Sequence, residues 1–465
     1  MRTPERLASP KRQYLFLFLI LTAVYHSNLR PIPSGDTLGA ALVPMSIVLD
    51  GSLTLDRFAP YIREEIQYGR AILHRAGGHW HSTYPVAGPA ATSPLYLPVL
   101  AVPQVRSMHP RTLIAGARIA EKFVASLLAA LTALVMLALF RRLTGAHEGF
   151  WLALVFALGT GNWSTNSQAL WQHTYGSLAI AGCFYAMMRF GEPGEAGRPA
   201  PSWVWAAGVC AGLALAMRPT NVILIPSSIL ALWMSGGRRL DFLRLLAPVC
   251  AAGAAVCAYN LAVFQRATGA YTARMESAFF EGLAGVLFSP ARGLVIFTPV
   301  VLFALAALAP RARASLSGRR GLAAAAVLFT VLQVCLVAKW YSWWGGYCWG
   351  PRLLTELLPP VMILVAMGFN ALRSRSARTA FACTAVYCVL VQAVGVYFYP
   401  KGNWDAVPFD ANAANGRLWD WADNPIIRTA RGGFVWEPYA IAYTAITEGP
   451  KAAIEKIREL GLQTH

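Results

Sequence analysis

The chain has 465 residues, 56% hydrophobic and only 13% charged, with a mean hydropathy of +0.46. Soluble proteins carry about 25% charged residues, so a large globular enzyme is excluded and a polytopic membrane protein is expected. The net charge of +18 does not point to nucleic acid. The basic residues sit mostly between apolar segments, which is a topology signal, and no basic face interleaves with a nucleic-acid motif.

The N-terminus has basic residues and then an apolar run, without a small-x-small cleavage site. A retained first helix is expected rather than a signal peptide. A spanning helix needs about 20 mainly apolar residues. Segments of that kind are 13–29, 113–140, 149–166, 171–189, 202–217, 220–235, 244–264, 293–309, 320–338, 355–372 and 379–399, about eleven in all. Residues 94–105 are apolar but short and proline-rich, and read as a re-entrant or interfacial piece.

Charge tests that assignment. With the N-terminus inside, the inner connections hold Arg2/Arg6/Lys11/Arg12, Arg141/Arg142, Arg189/Arg198, Arg238/Arg239/Arg244, Arg311/Arg313/Arg319/Arg320 and Arg373/Arg375/Arg378. The acids among them are Glu5, Glu148, Glu192, Glu195 and Asp241. Each inner connection is short and basic, as the positive-inside rule requires. Counting 94–105 as a span would put Arg141/Arg142 outside. The expected fold is therefore an all-α polytopic membrane protein with the N-terminus inside and the C-terminus outside. The long segments 28–112, 265–292, 339–354 and 400–465 then all lie outside, the side where function is expected.

Within the first outer loop, 37–50 reads as an amphipathic surface helix and 58–76 as a second, with Arg63, Glu64, Glu65, Arg70 and Arg75 on its polar face. Gly77-Gly78-His79-Trp80-His81 reads as a turn and a short extended piece. The eight cysteines (Cys183, Cys210, Cys250, Cys257, Cys335, Cys348, Cys383, Cys388) fall mostly in apolar runs without a CxxC pair or a His/Cys cluster. They read as packing residues, not as disulfides or a zinc site.

Asp36 follows Pro33-Ser34-Gly35 just beyond the first segment. An acid at a membrane boundary is solvated, paired or used; the structural alternative is a helix N-cap. Arg118, Glu121 and Lys122 lie near the outer end of 113–140, as an anion site or as snorkelling anchors. Arg218 in Arg218-Pro219-Thr220 suits a phosphate or anchors a turn at the interface. His173 and Arg292 stand at outer helix starts. The run Trp343-Trp344-Gly345-Gly346…Gly350-Pro351-Arg352 is denser than an aromatic belt needs, and Arg352 and Glu356 stand at helical spacing for a pair. No P-loop, GxGxxG, HExxH or GxSxG motif occurs.

These pieces together resemble the GT-C superfamily of polytopic glycosyltransferases, in the style of protein O-mannosyltransferases and lipid A aminoarabinose transferases. The resemblance covers most of 13–400. It rests on the acid after the first helix, on Tyr84-Pro85…Gly88-Pro89…Pro94-Leu95-Tyr96, on Arg141-Arg142-Leu143-Thr144-Gly145 and on Arg218-Pro219-Thr220. Ser289-Pro290-Ala291-Arg292-Gly293 and Trp344-Gly345-Gly346…Gly350-Pro351-Arg352 complete it.

The resemblance implies transfer of a sugar from a polyprenyl-phosphate donor to an acceptor hydroxyl, with inversion, at the periplasmic face of the inner (plasma) membrane. Asp36 matches the acceptor-activating acid. Arg118, Lys122, Arg218, Arg292 and Arg352 are the donor-phosphate candidates. Glu64, Glu65, Tyr84, Glu121, His173, Trp343, Trp344 and Glu356 are the substrate-binding candidates. Implied partners are the lipid donor, a cell-envelope acceptor (glycan, lipid or protein) and membrane lipids, with no nucleic acid. Residues 1–400 form the expected membrane module and 401–465 a small cap. Thr37 departs from the Glu that follows the acid in many relatives, and Trp-Trp-Asp is absent. No cofactor is implied; a lone acid makes a poor divalent site, and the sequence leaves a divalent metal open. A lipid-linked-sugar flippase or transporter, or a non-catalytic membrane scaffold, is the competing reading.

Overall fold

The computed structural model describes residues 10–65, 72–192, 200–270, 274–309, 319–413 and 415–460. Arg2, Glu5, Arg6, Arg70, Glu195, Arg198, Arg311 and Arg313, used in the sequence reading, lie outside the described residues, as do the side chains of Arg63, Glu64 and Glu65.

Helix forms in every stretch where a span is expected, from Pro10–His26 to Arg375–Tyr397. Pro110–Thr144, Arg239–Phe264, Arg320–Lys339, Arg352–Phe369 and Arg375–Tyr397 are long and apolar enough to cross a bilayer. Others are interrupted where the sequence demands it. Pro219 opens a 3₁₀ turn before Leu224–Met234, Pro299 opens the 3₁₀ helix Pro299–Leu308, and a π-helical turn at Asn162–Asn166 follows Ala146–Leu158.

Pro110–Thr144 is the spine. Pro110 at its first position and His109, which caps Arg111 N–H, start it; Gly145 at φ 98° ends it. Its 35 residues span roughly 50 Å, more than the roughly 30 Å of bilayer hydrocarbon. One end therefore projects into the first loop. At the other end the basic connections gather: Arg142 pairs with Glu192 at 2.9 Å, and the Arg142 carbonyl accepts from Arg319 at 2.6 Å. The Leu143 carbonyl accepts from Asn370 at 2.9 Å.

The first loop packs its own apolar core, with Leu38, Leu42, Phe58, Ile62, Tyr96, Leu113 and Tyr175, against the projecting half of the spine. Two expectations fail here. Helix Gly35–Asp50 is not a surface helix: residues from Thr37 to Ser46 are almost all buried. Its run Leu38-Gly39-Ala40-Ala41-Leu42-Val43 has no polar face to turn outward. The helix expected over 58–76 forms only as Ala59–Glu65; the far end of that stretch is strand Leu73–Ala76, paired antiparallel with His79–Ser82. Gly77 and Gly78 at φ 57° and 87° close that hairpin, a turn that needs positive φ at both positions. Residues 94–105 form short broken helices with Leu95, Leu97, Val99 and Val102 exposed.

Candidate active site

Ser34 caps helix Gly35–Asp50, with Thr37 reciprocating in a capping box. Asp36 is thus freed from the capping role that the sequence allowed it, and stands in the first turn, where the helix dipole favours an anion. Its Oδ1 accepts a hydrogen bond from Tyr84 Oη at 2.7 Å and its Oδ2 from Arg352 Nη1 at 2.8 Å. Burial by itself would raise the Asp36 pKa. The Arg352 charge and the hydrogen bonds from Tyr84 and Arg352 outweigh it and hold the carboxyl below its ordinary value.

Arg352 is fixed from several sides. Its Nη2 donates to the Gly345 carbonyl at 2.7 Å, and its guanidinium lies 4.2 Å from the Trp171 ring centre, a cation–π contact. Gly345, Gly346 and Gly350 have φ of 78°, 71° and 63°, which lets this loop turn tightly enough to aim a carbonyl at Arg352. The Arg352–Glu356 pair read from helical spacing does not form: residues Arg352–Leu357 make a 3₁₀ helix, whose i and i+4 positions do not stack.

Glu356 is fully buried and turns to other partners. Its Oε2 accepts from Arg218 Nη1 and meets His173 Nδ1 at 3.1 Å; its Oε1 accepts from Asn221 at 2.8 Å. Gly176 leaves it room: a Cβ there would collide with Oε1. Arg118 links the spine to the start of helix Gly35–Asp50, donating to Thr37 Oγ1 at 3.0 Å, to the Ser34 carbonyl at 3.1 Å and to Glu121 at 2.8 Å. Glu121 Oε1 in turn accepts from Leu170 N–H at 2.9 Å.

The acids Asp36, Glu121 and Glu356 are therefore each matched to an arginine. They differ in access: Glu121 and Glu356 are sealed, whereas 39% of the Asp36 side chain is open. Lys122 is buried and bonded to the Ser167 carbonyl at 3.1 Å and Gln168 Oε1 at 2.6 Å. Among the described residues it has no carboxylate partner.

Other expected residues are placed elsewhere. Arg292 is not open to a ligand: it is buried, pairs with Asp405 at 2.5 Å, and donates to the carbonyls of Trp344, Gly346 and Ala291. Trp343 and Trp344 are buried rather than presented as sugar platforms. Trp343 packs on Gly285 and Trp419, and Trp344 Nε1 donates to Asn412 at 2.9 Å. Sequence reasoning gave no role to Trp171, Asn221 or Gln168. Their nearness to His173, Arg218 and the start of Gln172–Phe190 was the available signal. Among the described residues no three His, Cys, Asp or Glu side chains converge as metal ligands.

An open carboxylate beside a guanidinium can take a proton from one substrate and hold an anionic group of another. The fold that frames it has solved neighbours. Among solved structures it is similar to ArnT from Cupriavidus metallidurans. The ArnT crystal structure bound to undecaprenyl phosphate superposes with a TM-score of 0.51 at 14% identity, covering 90% of this chain and 74% of that one. The apo-state structure gives 0.51 and 14%, covering 91% and 75%. No protein-family model matches the sequence, and no curated protein matches it significantly.

Proposed function

We propose that the protein transfers a sugar from a polyprenyl-phosphate donor to an acceptor hydroxyl, with inversion, using Asp36 as the base. The observation that carries this reading is Asp36 itself: the solvent-open acid of the cluster, held between Tyr84 and Arg352. The shared fold with an undecaprenyl-phosphate-bound transferase supports the donor class.

In the resting arrangement Arg352 occupies Asp36. An arriving lipid phosphate competes for the Arg352 guanidinium, which matches phosphate geometry, and Asp36 turns to the acceptor. The acceptor O–H proton passes to the Asp36 carboxylate as its oxygen bonds to the anomeric carbon. The bond from that carbon to the phosphate oxygen breaks, and the phosphate leaves with the electron pair, its charge met by Arg352. Lys122, without a carboxylate partner among the described residues, is a second positive charge for that phosphate. Arg118 and Arg218 act by holding the frame around Asp36 rather than by meeting the donor. Residues 1–400 form the transferring module, with its working face periplasmic, and 401–465 cover it.

The test supplies purified protein with radiolabelled polyprenyl-phosphate sugars and a cell-envelope acceptor pool. Wild type transfers label, and Asp36→Asn loses about 10²–10⁴-fold. Equal transfer by Asp36→Asn would remove Asp36 as the base. Movement of the lipid across vesicles without any transfer would favour a flippase.

A further inference from the structure

The last helices leave the bundle where its apolar helices end. Tyr439 Oη donates to the Ser27 carbonyl at 2.7 Å, just past helix Pro10–His26. Phe434 stacks on Tyr397, the final residue of helix Arg375–Tyr397, with ring centres 5.9 Å apart, and Val435 N–H bonds the Tyr397 carbonyl at 3.0 Å. These anchors set helix Glu437–Thr447 level with the ends of two apolar helices.

One side of that helix is open. Trp436, Tyr443 and Ile446 are 66%, 67% and 84% exposed, and their spacing puts them on one helical face. The two apolar helices that end there also turn large apolar side chains outward: Leu15, Phe16 and Leu19 on the first, and Val386, Tyr387 and Leu390 on the last. Helix Pro450–Glu459 packs behind, with Ala453 buried and Lys451, Glu455 and Glu459 exposed. Charges of both signs are mixed there, so the surface has no bias toward an anionic partner.

We infer that the two C-terminal helices, 437–459, lie on the bilayer surface at the Asp36 end of the bundle, with Trp436, Tyr443 and Ile446 seated among the lipid head groups. Trp and Tyr concentrate at that level because their rings are apolar and their edges polar. The exposed apolar face of Glu437–Thr447 and the exposed charges of Pro450–Glu459 give the pair of helices an apolar and a polar side, as helices in the interface plane have. A zwitterionic surface suffices, since the mixed charges add no anionic preference. The helices thereby fix the depth at which the segment 400–436 covers the bundle.

The test uses the full chain in phosphatidylcholine vesicles, with Cys250, Cys257 and Cys383, the exposed thiols, changed to alanine. A polarity-sensitive fluorophore on Ile446→Cys should emit blue-shifted light and be quenched by lipids carrying a nitroxide near the head group. The same fluorophore on Glu455→Cys should emit as in water. Water-like emission at both positions overturns the inference. So does a blue shift that vanishes when protein is diluted in lipid, which would mean a second copy covers the face. Independently, brominated phosphatidylcholine should quench a larger fraction of tryptophan emission in the otherwise unmodified chain than in Trp436→Phe. Equal fractions count against membrane seating.

Discussion

Asp36 and Arg352 stand 316 positions apart, and their pairing is the residue-level fact on which the proposed chemistry depends. Because the folded-state pKa of Asp36 is depressed, stability from this pair is fully present above the unfolded-state value of about 3.9. It is lost as pH falls through the lower folded value. The same sign governs a base: the acidic limb of the pH–rate profile should lie below ordinary carboxylate values. Arg352→Gln removes the charge that opposes burial, so that limb should move upward by about one unit or more. A profile of residual transfer against pH reads this directly, and a limb that stays in place would detach Arg352 from the titration. Sequence alone supplied Asp36, Tyr84 and Arg352 as separate candidates. It missed their union, because nothing local connects the start of one helix to a glycine-rich loop at the far end of the chain. Helical spacing paired Arg352 with Glu356 and was wrong because the backbone there is wound as 3₁₀.

Among elements, Glu356 is the tie. It joins the start of helix Gln172–Phe190 through His173, the turn after Ser202–Met217 through Arg218 and Asn221, and its own 3₁₀ helix. Trp171 and Arg352 sit on two of those elements, so the sealed cluster sets the open one. Glu356→Ala leaves the Arg218 charge buried without its acid, which costs about 3–5 kcal/mol. Joint replacement by Glu356→Leu and Arg218→Met should recover much of that loss. Thermal unfolding in detergent measures both; equal loss in single and double variants would mean the pair is not coupled. The elements best read from sequence were those with long apolar runs. The hairpin at 73–82 was only half read. Gly77-Gly78 signalled a turn, but Leu73-His74-Arg75-Ala76 carries too little alternation to separate strand from helix. Helix Gly35–Asp50 was placed correctly along the chain but on the wrong side of the protein surface, since an apolar run does not say what covers it.

For the molecule as a whole, the segregation of basic connections from the long loops was legible, because the charge rule samples many loops at once. The structure gathers Arg142, Arg319 and the Leu143–Asn370 contact at one end, and Asp36, Arg118, Arg218 and Arg352 in a separate cluster beyond the helix starts. If the Asp36 end faces away from the cytoplasm, an impermeant thiol reagent applied to intact cells should label Ser107→Cys. It should reach Ser374→Cys only after permeabilisation. The reverse pattern would invert the orientation. Less legible was the tail. Its Asp405, Asn412 and Leu418 bond to Arg292, Trp344 and Ser289, partners 68 to 129 positions earlier that nothing local in the sequence connects.

The arginine that occupies Asp36 also dictates a sequence of events. While Arg352 holds the carboxylate, an acceptor hydroxyl, or a stray water, meets a base already engaged. On the proposed mechanism an anion that draws Arg352 away frees that carboxylate for the acceptor, and the anion is carried by the donor. On that mechanism binding is ordered, donor before acceptor, and an acceptor arriving first gains nothing. An isotope-trapping experiment reads this: labelled donor bound in advance is carried to product when acceptor and excess unlabelled donor are added together, whereas acceptor bound in advance is not.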